Sequence, residues 1–258
     1  VQTYTEKGFR GNDKEWESMC IPFGEDAKIC LNGVIDRVDL CSLPGEELIK
    51  IIDYKSSDSQ DLLLAKVYYG LQMQLLTYLE AAKEMVEKEH KGKEAVPAAM
   101  LYYAIKEKNL DWKPESEEEY EKRVLDSMKC KGYVNEEPEI IGHLDKSVVN
   151  GGELIPGQKS GVVPVAVDKK GLLKKNSGAL STKDFETLIA HTKEKMKECG
   201  KAILDGKIEA IPYVYEDNDG CTYCPYGSVC GYESKKDGVR EMKKMSDDEV
   251  WEALYGDD

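Results

Sequence analysis

Apolar and polar positions give the chain a strand-rich start, a long helical middle and a mixed second half. Residues 27–40, AKICLNGVIDRVDL, alternate apolar and polar side chains and are rich in β-branched residues, which predicts a strand. SLPGEE (42–47) carries a Pro44-Gly45 turn signal, and LIKIIDYK (48–55) predicts a second strand. Together they predict a hairpin with one largely buried face. Ser56–Asp61 offers helix-capping side chains for a helix over about 62–89, with Gly70 its only breaker. PAAMLYYAI (97–105) predicts a third strand, and SEEEYEKRVLDSMKC (116–130) an amphipathic helix with an acidic first turn.

The periodicity weakens over 140–180, which holds Gly142, Gly151, Gly152, Gly157, Gly161, Gly171, Gly178 and several lysines. It is expected to be a mobile insertion with one or two short strands, such as GVVPVAV. Ser181-Thr-Lys-Asp184 opens a further helix to about Asp205, stopped by Gly206. Residues 1–26, with Trp16 and Phe23 as candidate anchors, read as a lead-in. Residues 27–233 read as the main domain. Residues 234–258 read as a charged tail with a short helix near 246–255, around Trp251 and Leu254.

Composition narrows the class. The chain has 258 residues, 41% hydrophobic and 33% charged, which suits a globular protein with a substantial core. No apolar run is long enough for a membrane span, so no membrane association is expected. The chain starts at Val1, which suggests a piece of a larger protein. Its net charge of −14 argues against a passive nucleic-acid coat. It leaves room for an enzyme whose carboxylates hold metal ions. Three widely separated histidines exclude a His-rich metal cluster. Eight cysteines, five scattered and three clustered, read as a cytosolic protein with one metal-type knot.

The sharpest constellation is Asp36, Asp53 and Lys55. Period-two alternation puts Asp53 and Lys55 on one face of their strand, and the hairpin brings Asp36 beside them. Two carboxylates and a lysine clustered on an apolar sheet are costly unless they bind something. A divalent cation suits the carboxylates, and the lysine suits the charge of phosphodiester hydrolysis. D-x-K alone is most often a solvated strand face, so the surrounding pattern matters. Gln74 and Tyr78, four apart, share a helix face with Gly70 one turn earlier. Read alone, that pair is better explained as core packing and a local network. Asp39, three residues from Asp36, is expected on the other face, ion-paired at the surface.

These segments resemble a known family. GVIDRVD (33–39), IIDYKSS (51–57) and GLQMQLLTYLEAA (70–82) are similar, in order, spacing and strand–strand–helix context, to the core motifs of RecB-type PD-(D/E)XK nucleases. The resemblance implies an α/β sandwich with an αββαβ core, the leading helix lying in residues 1–26 or absent. It implies Asp36, Asp53 and the Tyr54 carbonyl as metal ligands, Lys55 as the catalytic lysine, and Gln74 and Tyr78 as the Q-x-x-x-Y motif. The cofactor implied is Mg²⁺ or Mn²⁺.

Cys221, Cys224 and Cys230 have the spacing C-x2-C-x5-C, which suits zinc and an iron–sulfur cluster about equally. Their place after a Q-x-x-x-Y nuclease, with ILDGKIEAIPYVY (203–215) before them, resembles the AddB family of bacterial AddAB helicase–nucleases. The resemblance covers roughly 27–130 and 181–233. It implies a [4Fe–4S] cluster clasping the nuclease domain, with one Cys and a metal-site His far upstream. Neither has a counterpart here, since Cys20 and Cys30 lie too close to Asp36. The cluster is therefore expected to be incomplete or absent in this chain, and the piece alone weak or inactive.

The function implied is a DNA exonuclease domain of a cytoplasmic helicase–nuclease in double-strand break repair by recombination, working with DNA and an AddA-like subunit. The alternatives are a non-enzymatic DNA-end-binding scaffold and a regulatory module centred on the cysteines. The acidity then falls partly on metal ligands and partly on the helix at 115–122. Lys55, Arg37 and Lys66 are left to meet DNA, and the piece alone is expected to bind DNA weakly.

Overall fold

Residues 48–52 are apolar on both strand faces, apart from Lys50, because they end up in the middle of the molecule. Leu48 and Ile52 are buried on one side of the sheet, and Ile49 and Ile51 on the other. The computed structural model describes residues 1–11, 16–24, 26–56, 61–105, 116–233 and 238–256.

In chain order the elements are β1 (Gln2–Phe9), β2 (Met19–Phe23), β3 (Ala27–Leu31), β4 (Gly33–Leu43) and β5 (Glu46–Lys55), then α1 (Leu64–Tyr68), α2 (Gln74–Glu89) and β6 (Glu94–Ala104). They continue with α3 (Glu117–Ser127), β7 (Lys131–Asn135), α4 (Pro138–Leu144), β8 (Val149–Asn150), β9 (Glu153–Leu154), β10 (Ala179–Leu180) and α5 (Thr182–Leu204). The last are β11 (Tyr213–Tyr215), β12 (Asn218–Asp219), α6 (Gly227–Cys230), β13 (Arg240–Glu241) and α7 (Asp247–Tyr255).

A six-stranded mixed sheet in the order β1-β4-β5-β6-β7-β10 forms the centre. β5 and β6 run parallel, joined through α1 and α2, while β1, β4 and β7 pair antiparallel with their neighbours in β4, β5 and β6. One face packs on α2 and α5 through residues including Ile49, Ile51, Leu79, Met100 and Leu188. The other face buries Ile52, Ala99, Leu101 and Val134 against Val148, Val163 and Val165. This is the α/β fold with helices flanking a mixed sheet that the motifs implied.

The β4–β5 hairpin forms as expected, turning through Pro44 and Gly45 with Gly45 at φ +84°. The helices near 182–204 and 247–255 form behind Ser181 and Ser246, each closing a reciprocal capping box. Other expectations are corrected. Residues 1–26 supply strands: β1 lines β4 from Gln2↔Leu40 to Phe9↔Gly33, and β2 pairs with β3. No leading helix lies among their described residues. The strand expected over 27–40 breaks at Asn32, because β3 and β4 serve different partners.

The helix expected over 62–89 breaks at Gly70, which sits at φ +76°, where L side chains are strained. Ser56 and Asp61 do not cap it. The Gln72 side chain accepts from the Leu63 N–H at 2.9 Å and donates to the Asp61 carbonyl at 3.0 Å. Residues 140–180 are packed: Val163, Val165 and Val167 are buried, yet GVVPVAV makes only isolated bridges. The glycines there mark turns, four of them at positive φ.

Candidate active site

The register of β4 and β5 sets Arg37 opposite Ile52, so the next pair outward is Asp36 and Asp53. Asp36 Oδ2 accepts the Tyr54 backbone N–H at 2.8 Å. Asp53 is 3% exposed, and its Oδ2 lies 2.6 Å from Lys55 Nζ. That contact is ionic, and no well-aligned hydrogen bond reaches the buried oxygen. Burial pushes the Asp53 carboxyl up, Lys55 pulls it down, and the Asp36 charge pushes it up again, leaving it raised.

Lys55 also donates to Gln74 Oε1 at 2.9 Å, and Gln74 Nε2 reaches the Tyr78 hydroxyl at 2.9 Å. The break at Gly70 makes this possible, since α2 restarts at Gln74 with its first turn facing the strand ends. Tyr102 of β6 stands opposite Asp53, with its ring 5.2 Å below the Lys55 ammonium. Burial, then Asp53 and Tyr78, push its phenol up to about 12. Tyr78 rests edge-on against Phe9 at 6.0 Å. A Cβ on Gly33 would fall 2.7 Å from the Phe9 ring, so the glycine of GVIDRVD makes room for β1.

All five side chains singled out in the sequence therefore meet at the ends of β4, β5 and α2. The chemistry of the set fits a hard divalent cation: two facing carboxylates, one with an unsatisfied buried oxygen. Among the described residues, no group of three or more His, Cys, Asp or Glu converges as a metal cluster would.

The sequence profile of the PD-(D/E)XK nuclease superfamily matches residues 2–231. The chain belongs to the PD-(D/E)XK nuclease superfamily. Curated relatives named as the AddB-type component of an ATP-dependent helicase/deoxyribonuclease are similar to it. One from Lachnoclostridium phytofermentans is 36% identical over 237 residues, covering 90% of this chain and 20% of the relative. One from Thermoanaerobacter sp. is 33% identical over 247 residues, 95% of this chain and 20% of the relative. One from Clostridium novyi is 33% identical over 255 residues, 96% of this chain and 21% of the relative. The chain spans about a fifth of the length of these relatives.

Within this PD-(D/E)XK domain, Asp39 is ion-paired as expected but is buried rather than at the surface. It holds Arg37 at 2.9 Å and Lys50 at 2.7 Å and accepts from Thr3 at 2.8 Å. Arg37, expected to meet DNA, is occupied by that pair. Lys66 lies over the Tyr215 ring.

The cysteine loop of the PD-(D/E)XK domain is exposed. Asp219 shapes it, accepting the backbone N–H of Cys221 at 2.8 Å and of Thr222 at 2.6 Å. Desolvation, then Asp219, Cys224 and Cys230, raise the Cys221 thiol. Three thiols without a fourth ligand do not fit a complete [4Fe–4S] cluster. Cys20 and Cys30, expected as scattered free thiols, form a disulfide across β2 and β3.

Sequence reasoning missed Tyr102 and Phe9. Alternation within PAAMLYYAI puts one of Tyr102 and Tyr103 on the site face, but only the β5–β6 pairing says which.

Proposed function

We propose that this chain is a metal-dependent deoxyribonuclease domain, an exonuclease of a bacterial helicase–nuclease that processes DNA ends for recombinational repair. The reading rests on one observation: Lys55 is held between Asp53 and Gln74, with Asp36 beside them. Asp36 and Asp53 would hold Mg²⁺ or Mn²⁺, with the Tyr54 carbonyl as a third oxygen and waters completing the shell. The bound ion would supply a polarised phosphate and a nucleophilic water at neutral pH. Lys55 carries positive charge to where negative charge grows on the phosphate oxygens. Gln74 and Tyr78 orient that ammonium. Tyr102 closes the floor beneath it and keeps water from that side.

The names of the relatives support a helicase partner subunit, here an AddA-like one, and DNA as substrate. No helix among the described residues is long and apolar enough to cross a membrane, which accords with a cytoplasmic role on chromosomal DNA. Cys221, Cys224 and Cys230 would contribute three ligands to a [4Fe–4S] cluster only where another part of the protein adds a fourth. Absorbance near 400 nm in anaerobically purified full-length protein, lost in Cys224→Ser, tests that.

The decisive experiment gives the full-length protein Mg²⁺ or Mn²⁺ and linear DNA. Asp53→Ala and Lys55→Ala should each lower degradation at least ~100-fold, about 2.7 kcal/mol of barrier. Unchanged degradation by Asp53→Ala would leave a second reading, a nuclease fold kept as a DNA-end-binding scaffold. The observation that favours the scaffold is the absence, among the described residues, of a third acidic or histidine ligand.

A further inference from the structure

Beside the site, a groove of about 450 Å³ opens along β7 between α3 and the Gly-rich segment. Its volume lies within the ~300–1,000 Å³ typical of ligand clefts. In a chain of net charge −14, four lysines line it: Lys129, Lys131, Lys159 and Lys175. The segments that bring them together are far apart in sequence, so the cluster is a product of the fold.

The groove joins the site through the sheet. Tyr102 pairs in register with Asp53 on one side and with Lys131 on the other. Registered partners share a face, so Asp53, Tyr102 and Lys131 form one row. Two strand spacings of ~4.8 Å put Lys131 about 10 Å from the catalytic acid. A polynucleotide with a phosphate at Asp53 that continues along this row meets Lys131 next, then the groove.

The lysines are held loosely. Lys131 pairs with Asp61 at 2.6 Å, Lys159 with Asp126 at 3.1 Å and Lys175 with Asp248 at 2.9 Å. Each of these pairs is substantially exposed to water. Exposed pairs contribute only ~0–1 kcal/mol each, so a phosphate can take the ammonium at little cost. Lys129 differs: its ammonium donates to the Ser160 carbonyl at 2.9 Å. Desolvation and then Lys159 disfavour its charge, and the nearby Asp126 and Asp145 do not fully offset them. An anion in the groove would relieve that imbalance.

We propose that this groove is the track for a single DNA strand leaving the active site, gripped through its phosphates by Lys129, Lys131 and Lys159. The proposal rests on the nuclease reading above, because it takes the phosphate at Asp53 as its starting point. It requires no base contacts, so the grip is independent of sequence.

The test uses the full-length protein carrying Asp53→Ala, so that DNA is bound and not consumed. Anisotropy of a labelled 20-nucleotide single strand gives Kd across a salt series. Adding Lys129→Ala, Lys131→Ala and Lys159→Ala together should weaken binding about tenfold. It should also flatten the slope of log K against log salt by about 2, at ~0.7 per phosphate contact on a single strand. The matching triple Lys→Arg variant keeps the charge and should keep both values, which separates lost charge from misfolding. In parallel, a strand bearing 4-thiothymidine should cross-link to peptides spanning 129–133 or 159–175. An unchanged salt slope in the alanine triple, or cross-links confined to other segments, would overturn the track. DNA degradation by the Asp53→Ala protein itself is scored on the same samples and would overturn the nuclease assignment instead.

Discussion

Lys55 donates to Gln74 Oε1, and this single bond fixes which way the Gln74 amide faces. Its nitrogen is then left for Tyr78, so the three side chains read as one directional chain from strand to helix. Replacing Gln74 with Ala should free the ammonium and lower the single-turnover cleavage rate ~10–100-fold, about 1.4–2.7 kcal/mol. Tyr78→Phe removes only the terminal partner and should cost a few-fold, in line with ~1 kcal/mol for one hydrogen bond. Equal effects of the two substitutions would contradict the order of the chain.

Asp53 carries a buried oxygen without a well-aligned hydrogen-bond donor. Function and stability should therefore diverge there. In chelator, Asp53→Asn should raise Tm by a few degrees, since a neutral amide costs less to bury than a carboxylate. Adding Mg²⁺ should then raise the Tm of the wild type and not that of the variant. A Mg²⁺ response of the same size in both would locate the ion elsewhere.

Gly132 sits at φ +124°, and a Cβ there would fall 2.3 Å from the Met100 carbonyl oxygen. Gly132→Ala should destabilise the domain by at least ~3 kcal/mol in urea unfolding, since strain and a backbone clash combine. Gly151 is at φ +60° with nothing within 4 Å of its Cβ position. Gly151→Ala should cost only ~1 kcal/mol.

Asp39 is buried, which alone would raise its carboxyl, yet Arg37, Lys50 and Thr3 together hold it below the usual range. A depressed folded-state value means that its contribution is fully present above the unfolded value near 4 and is lost as pH falls through the folded one. Asp39→Asn should therefore destabilise at pH 7 by about 1–3 kcal/mol, leaving Arg37 and Lys50 short of an acceptor. The difference between the proteins should shrink below about pH 4, as the wild-type carboxyl protonates. Denaturant midpoints from pH 7 down to pH 3 measure it.

What the sequence made legible was local. The β4–β5 hairpin is written in its alternation and its Pro44-Gly45 turn, so the neighbourhood of Asp36, Asp53 and Lys55 follows from spacing. The α5 and α7 starts are written in Ser181/Asp184 and Ser246/Glu249. Long-range pairings were hidden. QTYTEKGF shows no apolar stripe, because β1 lies at the edge of the sheet with one long side open to water. Tyr102 joins the site only because β6 lies beside β5 after a helical crossover, which a local pattern does not encode. The burial of Val163, Val165 and Val167 comes from packing on the sheet, with little pairing to announce it as a strand.

The first strand also bears on how the domain can be cut. A clone begun at residue 27, where the recognisable motifs start, would strip the hydrogen-bonding partner from the whole outer side of β4. It would also remove the Phe9 ring that backs Tyr78. Bared strand sides seek other chains. Such a clone is expected in inclusion bodies, while one that retains Gln2–Phe9 is expected in the supernatant. Insolubility of the shorter clone would then report a missing partner strand and say nothing about the catalytic residues.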